Sequence, residues 1–306
     1  MDAPIIDCSL LPSSDPKELE KIRSALSTWG CFQLVNHGIA SEMLDEVRDM
    51  SKLFFKLPLE EKVKYSSKGD SIEGYGNGNA IRDGNFNWND KLHLQVYPQH
   101  RQQLQFWPET PLNFRATLHE YSNKIKQISE LLLKAMARSL ELEENRFFEL
   151  WGDDKEDIIH ARFNFYPRFP SANRVVGLKP HTDGSAITIL LQDKEVEGLQ
   201  VLKDGQWFRV PIIPDALVIH VADQLEIASN GIFTSPTHKV VINPQCDRIS
   251  LAMLPLPYPD KEIGPLKELI SEERPQLFKR LKDYGQVYFN YMTSEERQIN
   301  VVKINH

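Results

Sequence analysis

A chain of 306 residues, 41% hydrophobic and 26% charged, is long enough to bury a large core, as one large domain or two intimately packed ones. Its formal net charge of -7 and the lack of any Lys/Arg-rich run argue against nucleic acid or an anionic membrane surface as the main partner, and favour a small molecule. Three cysteines without a CxxC pair (Cys8, Cys31, Cys246), no secretory leader pattern and no run of 18 or more apolar residues point to a reducing compartment, the cytoplasm by default with the nucleus left open.

In chain order, Ala3 to Cys8 is short, apolar and proline-led, and reads as a strand. Ser13-Ser14-Asp15-Pro16 then places capping residues and a proline ahead of a helix from Lys17 to Trp29. Gly30 to Gly38 is a β-rich run stopped by a turn, and Ser41 opens an amphipathic helix to about Lys56. His37, between Asn36 and Gly38, reads as a structural hydrogen-bonding group in that turn. Leu57 to Lys62 continues the helical region, and Gly69 to Gly84 has the Gly, Asn and Ser content of a loop that could border a pocket. Trp88 to Leu94 reads as a half-exposed strand. Apolar residues Phe114, Leu118, Tyr121, Ile125, Ile128, Leu132, Met136 and Leu140 recur at helical spacing and mark one long helix packed on the core. A short helix is expected from Glu143 to Leu150. Ala161 to Pro167 alternates, which puts Arg162, Asn164 and Tyr166 on one strand face.

The chemistry concentrates between Pro180 and Ser250. His181-Thr182-Asp183 sets an imidazole and a carboxylate two residues apart, so on a strand both reach one side. His238 lies in the β-branched run Thr237 to Ile242 and can project a second imidazole from a rigid element. Two His and one Asp suit a first-row divalent metal and leave positions open on it, as an iron that binds oxygen requires. Arg248 and Ser250 share a strand face, where a guanidinium fork and a hydroxyl suit a carboxylate. An isolated HxD is a weak signal, whereas HxD, a later strand His and R-x-S together are restrictive. Asp204-Gly205 is a hairpin turn between Val196 to Leu202 and Trp207 to Val210, and Ala216 to Val221 is another buried strand. Several β-runs at close intervals fit a double-sheet jelly roll. Beyond Pro255 the sequence is Pro-rich and loop-like, then helical from Leu277 to Gln286 and beyond.

These motifs resemble the plant 2-oxoglutarate- and Fe(II)-dependent dioxygenases, in their codeine O-demethylase-like and senescence-related branch. The resemblance rests on Pro180 to Ser185, Gly198 to Val201, Asp223 to Glu226, Ser229 to Gly231, His238 to Val241, Arg248 to Ser250, and the N-terminal Trp29 to Ile39 run, and it covers nearly the whole chain. It implies a fold that is α+β, mainly β, with a double-stranded β-helix (jelly roll) core buttressed by N-terminal and C-terminal helices. Residues 1–155 would form the N-terminal helical/β region, and 156–306 the core with a C-terminal helix over the barrel mouth. It implies Fe(II) held by His181, Asp183 and His238, 2-oxoglutarate held by Arg248, Ser250, Tyr166 and Asn164, oxygen as co-substrate, and ascorbate as an accessory. The chain departs from the family pattern at Phe165, Arg168, Phe169, His220 and Ala222. It also begins late relative to many relatives, which is expected to bear on the lid more than on the metal centre.

Substrate-side candidates remain open between two readings each. Lys91 and His93 stand where relatives place substrate contacts, or lie on a half-exposed strand; Arg162 lines the pocket or makes a surface ion pair; Leu254 and Leu256 are pocket or core residues. His220 reads as a neighbour of the oxygen or co-substrate side, with a fourth metal ligand as the alternative. The activity implied is hydroxylation, O-demethylation or desaturation of a small specialised metabolite by a monomer, with succinate and carbon dioxide released. A hormone-modifying enzyme (strigolactone precursor, auxin or jasmonate) and a non-catalytic ligand-binding relative are the alternatives.

Overall fold

The computed structural model describes residues 3–13, 15–69, 71–77, 87–151, 158–171, 175–258, 260–290 and 296–304. The N-terminal strand β1 (Ile5–Asp7) is followed by helix α1 (Pro16–Thr28), whose first turn is closed by Asp15 accepting from the Lys17 N–H at 2.8 Å, with Pro16 fitting where no donor is needed. Then come β2 (Cys31–Val35), α2 (Ser41–Lys56), the single turn α3 (Leu59–Lys62), β3 (Gly74–Asn77) and β4 (Asp90–Tyr97). Part of the expected Gly69 to Gly84 loop is therefore a strand, and its remainder from 78 lies outside the described residues. Helix α4 (Phe114–Ser139) buries the apolar stripe expected of it, and the short helix expected over Glu143 to Leu150 is confined to α5 (Phe148–Trp151).

The second half supplies β5 (Ile158–Tyr166), β6 (Leu178–His181), β7 (Ile187–Gln192), β8 (Leu199–Lys203), β9 (Gln206–Arg209), β10 (Leu217–Val221), α6 (Asp223–Ala228), β11 (His238–Val240) and β12 (Arg248–Leu256). A two-stranded piece, β13 (Glu262–Ile263) with β14 (Leu281–Lys282), and α7 (Tyr284–Asn290) follow. The C-terminal helix thus starts seven residues later than the periodicity from Leu277 suggested, because Leu281 and Lys282 pair with β13 instead.

An eight-stranded sheet runs β1-β2-β10-β7-β12-β5-β4-β3, and a four-stranded sheet runs β6-β11-β8-β9. The β8–β9 hairpin turns on Asp204 and Gly205, both at positive φ, as a tight two-residue turn requires. Strand alternation sorts the large sheet into two faces. Leu92, Leu94, Phe163, Ile189, Leu191, Leu217, Ile219, Leu251 and Met253 join the main core with residues of α1, α2 and α4. The opposite face carries the polar positions of β5, β7 and β12 toward the small sheet, with Leu190, Leu199, Val201, Val218 and Ala252 packed between. Strands β1 to β4 come from before residue 155 yet lie in the same sheet as β5, β7, β10 and β12, so the expected division at 155/156 runs through this sheet.

Candidate active site

The two imidazoles are set by strand pairing. His181 ends β6 directly opposite His238 at the start of β11, and the two rings lie 4.2 Å apart. His181 Nδ1 donates to the Lys179 carbonyl at 2.7 Å and His238 Nδ1 donates to the Pro236 carbonyl at 3.1 Å. Both hydrogen bonds place the proton on Nδ1 and leave the Nε2 lone pair free, the arrangement of metal-ligating histidines. Asp183 is not on a strand with His181, as its spacing suggested, because β6 stops at His181. It instead turns back in the loop to β7, its backbone carbonyl accepting from the Asp223 N–H at 2.9 Å and its Oδ2 accepting from the Thr188 hydroxyl at 2.6 Å. Asp183 carboxylate oxygens then lie 3.6 Å from His181 Nε2 and 3.7 Å from His238 Nε2.

These three side chains offer one ligand atom each, all within 4.8 Å of one another. Burial lowers the pKa of His181 and pushes that of His238 down to about 3, so both are neutral and able to ligate. Burial opposes ionisation of Asp183, but the surrounding imidazoles of His238, His220 and His181 hold its carboxyl below the usual carboxylate range. A carboxylate and two neutral imidazoles fit Fe(II) and leave coordination positions open.

Below the triad, β12 and β5 pair Arg248 with Tyr166 and Ser250 with Asn164, so all four face one cavity. Arg248 is 2% exposed. Its Nε donates to the Val196 carbonyl at 3.1 Å and its Nη2 to Gln192 Oε1 at 3.3 Å, while Nη1 is buried with no partner among the described residues. An orphaned guanidinium nitrogen at the floor of a cavity is the donor a carboxylate would satisfy, so these residues fit the distal end of 2-oxoglutarate. The Tyr166 ring lies against the guanidinium, 5.3 Å from its carbon.

Of the substrate-side candidates, Arg162, His220 and Leu254 line the same cavity. His220 is 1% exposed, its ring is 4.6 Å from His238, its Nδ1 is 3.9 Å from Asp183 Oδ2, and neither ring nitrogen has a hydrogen-bond partner among the described residues. Lys91 and His93 do not line the cavity itself. Their register with Asn164 and Arg162 sets them on the same sheet face one strand further out. Leu256 pairs with Ile158 at the far end of β12 and does not line the cavity. His37 is structural, its Nε2 donating to the Asp215 carbonyl at 2.7 Å while Nδ1 accepts from the Ile39 N–H.

Several neighbours carry weaker signals in the sequence. His160 shares a face with Arg162 and hydrogen-bonds His93 ring to ring at 2.8 Å, which the two-residue period of β5 signals. Thr188 and Gln192 are reached only through the pairing of β7 with β10 and β12. The C-terminal anchors carry no local signal: Tyr288 donates to the Thr182 carbonyl at 2.7 Å, Tyr284 to Asp223 at 2.8 Å, and Arg297 to Glu226 at 2.7 Å.

The chain matches two family models, that of the non-haem dioxygenase in morphine synthesis N-terminal region over residues 3–110 and that of the 2OG-Fe(II) oxygenase superfamily over residues 157–254. It is 37% identical over 309 residues to Protein SRG1 of Arabidopsis thaliana, covering 99% of this chain and 86% of the relative. It is 38% identical over 283 residues to codeine O-demethylase of Papaver somniferum, covering 90% of this chain and 78% of the relative. The crystal structure of JOX2 in complex with 2OG, Fe and JA superposes with a TM-score of 0.92 at 32% identity, covering 100% of this chain and 90% of that one. Among the described residues no helix is long and apolar enough to cross a membrane. With a jelly-roll core, a two-His-one-Asp cluster and relatives of this similarity along nearly its full length, the chain belongs to the 2OG-Fe(II) oxygenase superfamily.

Proposed function

We propose that this oxygenase hydroxylates, O-demethylates or desaturates a small plant specialised metabolite, with His181, Asp183 and His238 as its iron ligands and Arg248, Ser250, Tyr166 and Asn164 as its 2-oxoglutarate site. The observation that carries the residue roles is the pair of free Nε2 atoms facing Asp183 above an unpartnered Arg248 Nη1. When bound, Fe(II) with oxygen and 2-oxoglutarate supplies an oxidant able to remove hydrogen from a substrate C–H bond, 2-oxoglutarate leaving as succinate and carbon dioxide. The protein's own part is positioning and exclusion of water. His181 and His238 are held by backbone carbonyls, Asp183 is oriented by Thr188, and Arg248 and Ser250 fix the co-substrate from the cavity floor. Tyr288 of α7 lies over Gly184 next to the HxD loop and shields that side.

The specialised-metabolite reading follows relatives named codeine O-demethylase and thebaine 6-O-demethylase of Papaver somniferum. A hormone substrate is the second reading, supported by the JOX2 complex with JA. A non-catalytic binding protein is disfavoured because all three candidate ligands and both carboxylate anchors are present. Two free buried cysteines, Cys8 and Cys31, suit action in the reducing cytoplasm, and we assign the working form as a monomer. The test begins with anaerobic addition of Fe(II) and 2-oxoglutarate, which should produce the weak visible charge-transfer band of such centres in the wild type and not in His181→Ala. A mass-spectrometric screen of plant metabolites then seeks 2-oxoglutarate-dependent gain of one oxygen, loss of two hydrogens or loss of a methylene. A band unchanged by His181→Ala would overturn the ligand assignment.

A further inference from the structure

Of the three candidate ligands, His181 and His238 stand on strands and Asp183 stands in the loop between β6 and β7. A strand ligand takes its position from the ladder, whereas a loop ligand is placed by whatever holds the loop's backbone. Here four successive carbonyls are held. Thr182 accepts from the Tyr288 hydroxyl at 2.7 Å, Asp183 from the Asp223 N–H at 2.9 Å, Gly184 from Gln224 Nε2 at 2.7 Å and Ser185 from the Gln224 N–H at 3.2 Å. Two of these donors are side chains, so the shape of the ligand loop depends on residues outside the strands that flank it.

Both side chains are fixed by packing. Gln224 belongs to α6, all of whose residues are buried. Tyr288 comes from α7, 106 residues beyond Thr182, and its ring lies against Gly184, where a Cβ would stand 2.6 Å from it. Ile227 of α6 packs with Tyr284 and Tyr288 of α7. Polar contacts join the same two helices: Asp223 Oδ2 accepts from the Thr182 hydroxyl at 3.1 Å and from the Tyr284 hydroxyl at 2.8 Å. Arg297 donates to Glu226 Oε2 at 2.7 Å and to Asp223 Oδ1 at 3.5 Å. The ligand loop, α6 and the C-terminal segment therefore share a hydrogen-bond network that ends at Asp183.

From these contacts we infer that Tyr288 and Gln224 are positioning residues for the Asp183 ligand, which makes the C-terminal segment a working part of the metal centre. The inference rests on the ligand assignment above and deepens it. With both donors in place the carboxylate is held ready, and little of a metal's binding free energy goes into ordering the loop. Without the Tyr288 hydroxyl the Thr182–Asp183 peptide loses an anchor, and the carboxylate has to be ordered at the moment of binding. Loss of such an outer partner lowers metal affinity about 10- to 100-fold. The effect is reciprocal: whatever factor a seated α7 adds to metal affinity, bound metal adds to the seating of α7.

The test titrates Co(II) into the whole chain and follows the visible spectrum of the bound cobalt. Tyr288→Phe keeps the ring over Gly184 and removes one hydroxyl, and its Co(II) affinity should fall about tenfold or more, with an altered cobalt band. Gln224→Met should act in the same way, and if it does not fold, Tyr288→Phe decides alone. Arg280→Gln is the control. It loosens the same C-terminal segment through Glu262 and the Pro265 carbonyl rather than through the ligand loop, and should bind Co(II) as the wild type does. Hydrogen exchange of the Tyr284–Asn290 amides should slow on Co(II) saturation, by about the factor of affinity that Tyr288→Phe loses, and should slow much less in Tyr288→Phe. Affinity within about threefold of the wild type in Tyr288→Phe, an equal loss in Arg280→Gln, or α7 exchange indifferent to Co(II) would overturn the inference. His181→Ala, titrated alongside, reports on the ligand assignment alone. Unchanged Co(II) binding there sinks that assignment, whereas binding lost there and kept in Tyr288→Phe sinks only the positioning role.

Discussion

Replacing Arg248 by Met should separate co-substrate binding from folding. In the wild type the guanidinium is buried, two of its nitrogens are tied to Val196 and Gln192, and Nη1 has no partner among the described residues. Filling Nη1 with one charge-assisted bond to a carboxylate is worth about 1.5–3 kcal/mol. That corresponds to roughly 10- to 150-fold in 2-oxoglutarate affinity. Stability answers to different terms. Met removes a buried charge whose desolvation already pulls the Arg248 pKa down, which favours the folded chain. It also strips the Val196 and Gln192 acceptors of their donor, which costs about 1 kcal/mol each. These oppose one another, so the thermal midpoint without 2-oxoglutarate should move little while affinity falls steeply. Calorimetric titration of 2-oxoglutarate into the Mn(II)-loaded proteins and scanning calorimetry of the unloaded ones read the two effects. Arg248→Lys, which keeps the charge and loses the fork, should fall between. If Arg248→Met binds 2-oxoglutarate within about threefold of the wild type, well under the loss of one charged bond, the anchor assignment is wrong.

Three other outcomes follow from contacts already described. His160 has its pKa pushed from 6.5 down to about 4 in the folded chain, so as pH falls through this window the unfolded chain takes up a proton that the folded one refuses. Its contribution is fully present above pH 6.5 and is lost on acidification, by about 2 kcal/mol at pH 5, and urea unfolding of His160→Gln should show a pH 7 to pH 5 decline shallower by that amount. An equal decline in both proteins would refute it. His220→Leu breaks no hydrogen bond among the described residues, where both ring nitrogens are without a partner, so the metal-free protein should keep its thermal stability. The His220 Nδ1 stands 3.9 Å from Asp183 Oδ2, beyond hydrogen-bond reach, so Co(II) affinity should stay within about threefold of the wild type, and a fall of about tenfold or more would show that His220 supports the centre directly. Gly184→Ala would set a Cβ 2.6 Å from the Tyr288 ring, forcing Tyr288 off the Thr182 carbonyl. The overpacking costs about 1–3 kcal/mol and should speed proteolysis around Tyr284–Asn290; a variant with wild-type melting and cleavage would show that this contact yields freely.

The site was legible wherever its residues obey a period or lie close in sequence. Arg248 with Ser250, and Asn164 with Tyr166, share a face because side chains alternate along any strand, and the structure needed only to pair the two strands. The same alternation sets His160 on the face of Arg162, where its ring meets that of His93 across the β4–β5 pair. It failed for Asp183, since the spacing assumes a strand that ends at His181, and the carboxylate arrives through a loop held by Thr188 and Asp223. The late start of α7 has a similar cause: Leu281 and Lys282 carry helical periodicity locally, yet hydrogen bonds to β13 outweigh propensity there.

By itself the sequence determined which ligands exist and what chemistry they suit: two imidazoles, one carboxylate, a guanidinium and a hydroxyl. Only the tertiary structure decided which groups stand unpaired. Among the described residues, the unpartnered Nη1 of Arg248 and the partnerless ring of His220 are properties of neighbours brought from strands distant in sequence, and no local pattern records the absence of a partner. Those unpaired groups are what the cavity offers its ligands.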